Sequence, residues 1–210
     1  MIKIENTEVV GLEHAIRGMR NPMNSWDKSD SYIHYLTDEI VIGKNDLDLM
    51  NRLVKAGTDH RKFMRMIVVY ADVTAPLYWW AEYDTYKVGT VRNSCSKMHT
   101  IHKKEFTLED FSHEHLSDDS IKLLKDIVFI LNFHREKYLE STDKKYWWQM
   151  IQLLPSSYNQ RATLMLNYEV LANIYHSRKA HKLDEWVEFC KRIETLPYSE
   201  LITGAKMDEQ

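Results

Sequence analysis

Residues 152–186 read QLLPSSYNQRATLMLNYEVLANIYHSRKAHKLDEW, and the rest of the chain is best read outward from them. Pro155 can open a helix, because its fixed φ and missing N–H cost nothing in a first turn. Ser156 and Ser157 supply capping oxygens beside it. Leu164, Leu171, Ile174 and Tyr175 then recur at helical spacing, which predicts one buried stripe. Two polar residues share that stripe. Asn167 lies between Leu164 and Leu171, and Arg178 follows it at a separation of about 20° around a helix of 3.6 residues per turn. A buried polar group without a partner costs about 1–3 kcal/mol. Either the protein or a ligand must satisfy both.

Composition narrows the classes. The 210 residues are 44% hydrophobic and 28% charged, as in an ordinary globular protein. A net charge of −3 gives no basic footprint for nucleic acid or anionic lipid. Six Trp, twelve Tyr and ten Met favour a packed interior or a sizeable interface over disorder. The two cysteines, Cys95 and Cys190, form no CxxC pair and no disulfide framework. Residues 1–19 carry charges throughout and no long apolar run, so they are not expected to be a secretory signal, and no window approaches about 20 apolar residues. The expectation is a cytoplasmic protein without a membrane or nucleic-acid partner.

Taken in order, residues 1–10 alternate as a strand, and 11–19 form a short helix ending near Pro22. Residues 24–44 show no clear period, with a helical turn expected at 32–35. Residues 45–56 form an amphipathic helix, capped by Asp46, lined by Leu47, Met50, Leu53 and Val54, and ended by Gly57. Residues 64–73, MRMIVVYADV, are the strongest strand, stopped by Ala75-Pro76. An aromatic helix is expected over 77–85 and a loop with extended pieces over 86–102. Asp118 and Asp119 would cap a long helix over 121–140, with further helices over 146–154 and 183–193. No repeat or Pro/Gly-rich linker interrupts the chain, so one α/β domain over 1–203 is predicted. The 204–210 tail is expected to be disordered.

Most short chemical motifs fail. His99, His102, His113 and His115 lack the HExxH spacing and any Cys partner, so they read as loop histidines and no metal site is predicted. Cys95 has no placeable base. There is no GxGxxG and no Walker sequence. Residues 79–87, WWAEYDTYK, directly follow the best strand, where α/β proteins often place ligand groups. Lys87 and Arg92, with Ser94 and Ser96, suit a phosphate. The same segment also reads as an aromatic core helix followed by a solvated loop.

With these residues in place, the chain resembles the flavin-dependent thymidylate synthases. LDLMNRLVKAG followed by FMRMIVVYADVTAP is similar to that family's helix, turn and strand ending in Ala-Pro. Residues 153–186 resemble its C-terminal segment, where Leu-Pro precedes an Asn and an Arg follows eleven residues later. Leu154, Pro155, Asn167, Asn173, Arg178 and Trp186 fit that pattern. The family's Arg-His-Arg motif is rewritten here. Thr85 and Tyr86 replace its first Arg and His, Lys87 and Thr90 keep charge and hydroxyl character, and Glu82 stands at a Gln position. The His-x-Thr-Pro-Phe-Glu-His type segment is reduced to residues 58–63, and an Arg four residues before the Pro is Ile151, for which Arg161 is a candidate replacement.

The resemblance implies a central, mainly antiparallel sheet flanked by long helices, FAD as cofactor, a uridine-type nucleotide as substrate and a homotetramer. It assigns Asn167, Asn173, Arg178, Tyr86 and Lys87 to the cofactor. It assigns Glu82, Thr90, Arg92, Ser94, Ser96 and Arg161 to the substrate. Trp79 and Trp80 would pack beneath them. Phosphate recognition prefers bidentate Arg, and Lys is only a point charge. The rewritten motif therefore implies altered substrate recognition, with a non-catalytic relative that binds a nucleotide or a protein as the alternative.

Overall fold

The computed structural model describes residues 2–37 and 39–204. It is an α/β structure with an antiparallel sheet and helices. The elements begin with β1 (Lys3–Val10), α1 (Leu12–Arg20), β2 (Tyr32–Ile33), β3 (Ile40–Val41) and α2 (Lys44–Lys55). Then come β4 (Val68–Pro76), α3 (Leu77–Tyr83), β5 (Val91–Ser94), α4 (Lys97–Thr100), α5 (Asp118–Ser141) and α6 (Lys144–Leu153). The chain continues through β6 (Asn159–Asn167), α7 (Tyr168–Arg178), α8 (Asp184–Glu194) and α9 (Glu200–Thr203). The main sheet has the order β1-β4-β6-β5, and β2 pairs with β3 as an antiparallel ribbon with Tyr32 opposite Val41.

The residues group into two compact units. One holds Asp72–Thr85 and Arg92–Thr163 with the extreme N-terminus, and is called here the α5–α6 unit. The other holds Ile4–Ala71, Tyr86–Val91 and the described residues from Leu164 to Gly204, and is called the α7 unit.

In the α5–α6 unit, Ile101, Phe106, Phe111, Leu124, Leu131 and Met150 form a buried cluster. The Asn132 side chain holds Phe106 on both sides, accepting from its N–H at 2.9 Å and donating to its carbonyl at 2.8 Å. The helix α3 is an aromatic slab: Trp79, Trp80 and Tyr83 are buried and their rings meet within 4.9–5.4 Å.

In the α7 unit, α1 and α2 are tied by a buried ion pair. Arg20 Nε donates to Asp46 Oδ1 at 2.6 Å, with side-chain exposures of only 4% and 0%. Asp46 Oδ2 accepts from Ser29 and Ser31 as well. Asp46 is therefore an interior anchor and not the cap of α2. The carboxylate of Asp30 fills that role, accepting from the N–H groups of Asn45 and Asp46. Gly57, with φ +101, follows the helix end as expected.

The largest departure from the sequence reading lies at residues 156–167. Their expected helix is the strand β6, and only α7 is helical. In β6 the residues Gln160, Ala162, Leu164 and Leu166 are buried while Arg161 and Thr163 are exposed, a period of two. Leu164 and Leu171 match helical spacing only because seven residues span the strand–helix junction. Short apolar runs do not separate the two periods. Three smaller differences follow. The 32–35 turn is β2 and the start of a turn. The strand expected at 64–73 is a 3₁₀ turn at Lys62–Met66 followed by β4. Ser117 caps α5, with Asp118 and Asp119 in its first turn. Of the expected tail, Gly204 closes α9 in a left-handed conformation, and 205–210 lie outside the described residues.

Candidate functional site

Helix α7 places its two notable polar residues at opposite ends. Asn167 is the N-cap, with extended backbone and a side-chain oxygen that accepts the Val170 N–H at 3.0 Å. Arg178 is the last helical residue, roughly 16 Å further along at 1.5 Å per residue. They do not share a buried stripe.

The Tyr86–Val91 segment belongs to the same unit and touches both ends. Asn167 Nδ2 donates to the Gly89 carbonyl at 3.4 Å. Gly89 has φ +74, and a Cβ there would lie 2.6 Å from Asn167 Nδ2. The left-handed backbone favours glycine, and a larger residue would displace the Asn167 side chain. Thr90 Oγ1 donates back to the Tyr86 carbonyl at 2.5 Å, which closes the turn. At the other end, Arg178 Nε donates to Tyr86 Oη at 3.0 Å. The guanidinium lies 4.9 Å from the Trp186 ring centroid and 5.8 Å from that of Tyr86. The two rings meet edge to face at 6.0 Å. Arg178 Nη1 is 2.9 Å from His181 Nε2, and His181 Nδ1 accepts the Leu183 N–H at 3.1 Å. Trp186 is fully buried in the first turn of α8. Lys87 and Asn173 are exposed.

The remaining sequence-predicted residues belong to the α5–α6 unit. Arg92 stacks its guanidinium 4.0 Å over the Trp80 ring. It donates to both carboxylate oxygens of Asp84, at 2.8 and 2.7 Å, and to Gln160 Oε1 at 2.8 Å. Gln160 Nε2 in turn donates to the Cys95 carbonyl at 2.6 Å. Ser96 caps α4 by accepting the His99 N–H at 3.4 Å. Arg161 is exposed and pairs with Asp72 at 2.9 Å. Glu82 and Ser94 are half-buried. Burial, and then the nearby Arg92 charge, hold the Lys97 ammonium below the ordinary lysine range. Lys87 is grouped with Tyr86 and Thr90 in the α7 unit, not with Arg92, Ser94 and Ser96.

Sequence reasoning missed several participants. Gly89 is the partner of Asn167, and Tyr86, itself among the predicted residues, bonds Arg178 through its Oη, a pairing the sequence did not indicate. Glu169, in the first turn of α7, is buried and faces both Arg61 and Arg65, the latter through a short hydrogen bond from its Nε. The four-residue spacing of those two arginines was the available signal.

The Arg178 end offers a guanidinium beside two aromatic rings, with Lys87 and Asn173 as exposed donors in the same unit. Such a set suits a flat, hydrogen-bond-accepting heterocycle or an anionic group.

No protein-family model and no curated protein sequence matches the chain. Solved structures do. Thymidylate synthase X (ThyX) from Helicobacter pylori, with FAD and dUMP, is similar with a TM-score of 0.69 at 16% identity, over 97% of this chain and 98% of that one. The UMP/dUMP methylase PolB from Streptomyces cacaoi, bound with 5-Br UMP, is similar with a TM-score of 0.62 at 13% identity, over 93% of this chain and 87% of that one. The chain has the fold of these proteins.

Proposed function

We propose that this protein binds a flavin, FAD, at the Arg178 end of α7 and acts on a uridine-type nucleotide, as a thymidylate synthase-like protein with altered substrate recognition. The observation that carries the reading is Arg178 set beside the edge-to-face pair of Tyr86 and Trp186 rings, in a fold shared with proteins solved with FAD and dUMP. The residues present fit a flavin. Arg178, Asn173 and Lys87 are donors for its carbonyl and phosphate oxygens, and the Tyr86 ring is a stacking surface. When bound, FAD would supply the redox chemistry of a reductive one-carbon transfer to the pyrimidine. The chain's own residues bind and orient. Thr90 and Gly89 hold the Tyr86 turn closed, and Asn167 fixes that turn at the start of α7.

The nucleotide half of the reading rests on Glu82, Arg92, Ser94, Ser96 and Arg161 in the α5–α6 unit. Asp84 already pairs with Arg92, and Asp72 with Arg161. Fewer free guanidinium groups therefore remain for a dianionic phosphate, which supports weak dUMP binding. A second reading, a non-catalytic nucleotide-binding relative, draws on the same pairing.

We also propose a cytoplasmic homotetramer built from a single domain over 1–203. Support for assembly comes from α5, which leaves Leu123, Phe129, Ile130 and Phe133 exposed opposite its core face. A helix apolar on several faces is a packing surface. None of the described helices is long and apolar enough to cross a membrane.

The test is the absorption spectrum of the purified protein, followed by titration with dUMP. An oxidised-flavin spectrum perturbed only at high dUMP is the expected result. A colourless protein that ignores added FAD overturns the enzyme reading and leaves the nucleotide-binding one. Tight dUMP binding would show that the lost arginines have been replaced.

A further inference from the structure

A groove of about 850 Å³ lies in the α7 unit, and neither the Tyr86–Val91 segment nor α7 lines it. Small-molecule sites span roughly 300–1,000 Å³. Its walls are the end of β1, the first turn of α1, the β2–β3 ribbon and the turn between α8 and α9.

The α8–α9 wall is held in place from two sides. Tyr168 Oη donates to the Pro197 carbonyl, and Tyr198 Oη accepts the Ile42 N–H at 3.0 Å. Tyr198 adopts φ +53, a left-handed conformation that is costly for a bulky residue. Strain of this kind concentrates at ligand sites. The Tyr198 hydroxyl keeps its own hydrogen to donate.

The lining carries both signs of charge on an apolar bed. Val10, Ile33 and Leu196 supply the apolar surface. Among the described residues no carboxylate pairs with Arg192, whose Nη1 donates to Thr195 Oγ1 at 3.4 Å. Glu39 has no side-chain partner among the described residues either, and Glu13 reaches only Arg17, at 4.0 Å. Thr7 Oγ1 is buried without a hydrogen-bond partner among the described residues.

We infer that this groove binds a small zwitterion of the amino-acid type. Its carboxylate pairs with Arg192, its ammonium with Glu39, and its apolar side chain lies against Ile33 and Leu196. A dianion is disfavoured by the two glutamates. A simple amine leaves Arg192 unpaired, and a simple acid leaves Glu39 unpaired.

Three probes test this by saturation-transfer NMR: L-tryptophan, tryptamine and indole-3-propionate. Tryptophan is expected to bind at least tenfold more tightly than either relative. Arg192→Gln and Glu39→Gln should each weaken it at least tenfold. Both residues are surface groups, so circular dichroism should report unchanged folds. FAD binding should be the same in both variants, which separates this site from the one at Arg178. Absence of tryptophan binding, equal binding of the three probes, or full affinity in Arg192→Gln overturns the proposal.

Discussion

Two arginines, one in each unit, illustrate how similar surroundings serve different ends. Arg92 and Arg178 each lie over a tryptophan ring, at 4.0 and 4.9 Å. Arg92 also grips both oxygens of Asp84 and the amide of buried Gln160. Asp84 compensates its charge, and Nη1 and Nη2 donate within the chain, while Nε is buried without a hydrogen-bond partner among the described residues. Around Arg178 the geometry places a phenol, an indole and an imidazole. These neighbours hold the guanidinium in position through a hydrogen bond from its Nε and through ring contacts. By this contrast Arg92 reads as a clamp, and Arg178 is the ligand contact of the proposal.

A third arginine sets the upper limit for the clamp role. Arg20 and Asp46 form a buried pair, and removing one partner of such a pair costs about 3–5 kcal/mol. Asp46→Ala is therefore expected to give the largest destabilisation, read by urea unfolding. The pH dependence follows from the same group. Burial pushes the Asp46 carboxyl upward, but hydrogen bonds from Ser31, Ser29 and Arg20 outweigh it and hold the carboxyl below its ordinary range. A depressed folded value gives stability that is present above the unfolded value, near 3.9. That stability is lost as pH falls through the folded value. Unfolding free energy should drop below about pH 4 in the native chain and less steeply in Asp46→Asn. Equal slopes would remove Asp46 from the account.

Arg92→Ala comes next. It leaves Gln160 Oε1 unpaired, at about 1–3 kcal/mol, and removes a ring contact of about 0.5–1 kcal/mol. A loss of about 2–3 kcal/mol with little change in FAD affinity is expected. Gly89→Ala should cost about 1–3 kcal/mol from the left-handed backbone and the contact with Asn167, and should weaken FAD binding as the turn shifts. Arg178→Ala should cost about 1–2 kcal/mol of stability, from the lost bond to Tyr86 and the lost contact with the Trp186 ring, while lowering FAD affinity more than tenfold. Tyr86→Phe, which removes one hydrogen-bond acceptor, should cost about 0.5–1.5 kcal/mol. If Arg178→Ala melts the protein and leaves ligand affinity intact, the contrast between the two arginines collapses.

Much of the fold was legible where one period dominates. The helices α2 and α5 and the strand β4 carry long, unambiguous patterns, and their existence follows from spacing alone. Residues 159–167 were misread because a buried alternating strand runs straight into a helix, so apolar residues fit either period. At the candidate site, Asn167 and Arg178 stood out as polar residues in apolar surroundings. Their partners did not. Gly89 lies 78 residues from Asn167 in sequence, and Tyr86 lies 92 from Arg178. No local pattern encodes contacts of that range. The Asp84–Arg92 pair was hidden differently, since an eight-residue separation across a turn leaves no periodic trace.

The most direct measurement is a titration of the purified protein with FAD, followed by quenching of flavin fluorescence, in the native chain, Arg178→Ala and Arg92→Ala. Saturable quenching in the native chain and in Arg92→Ala, weakened more than tenfold in Arg178→Ala, is the expected result. Absence of quenching in the native chain, or equal affinity in all three, would contradict a flavin site at the end of α7.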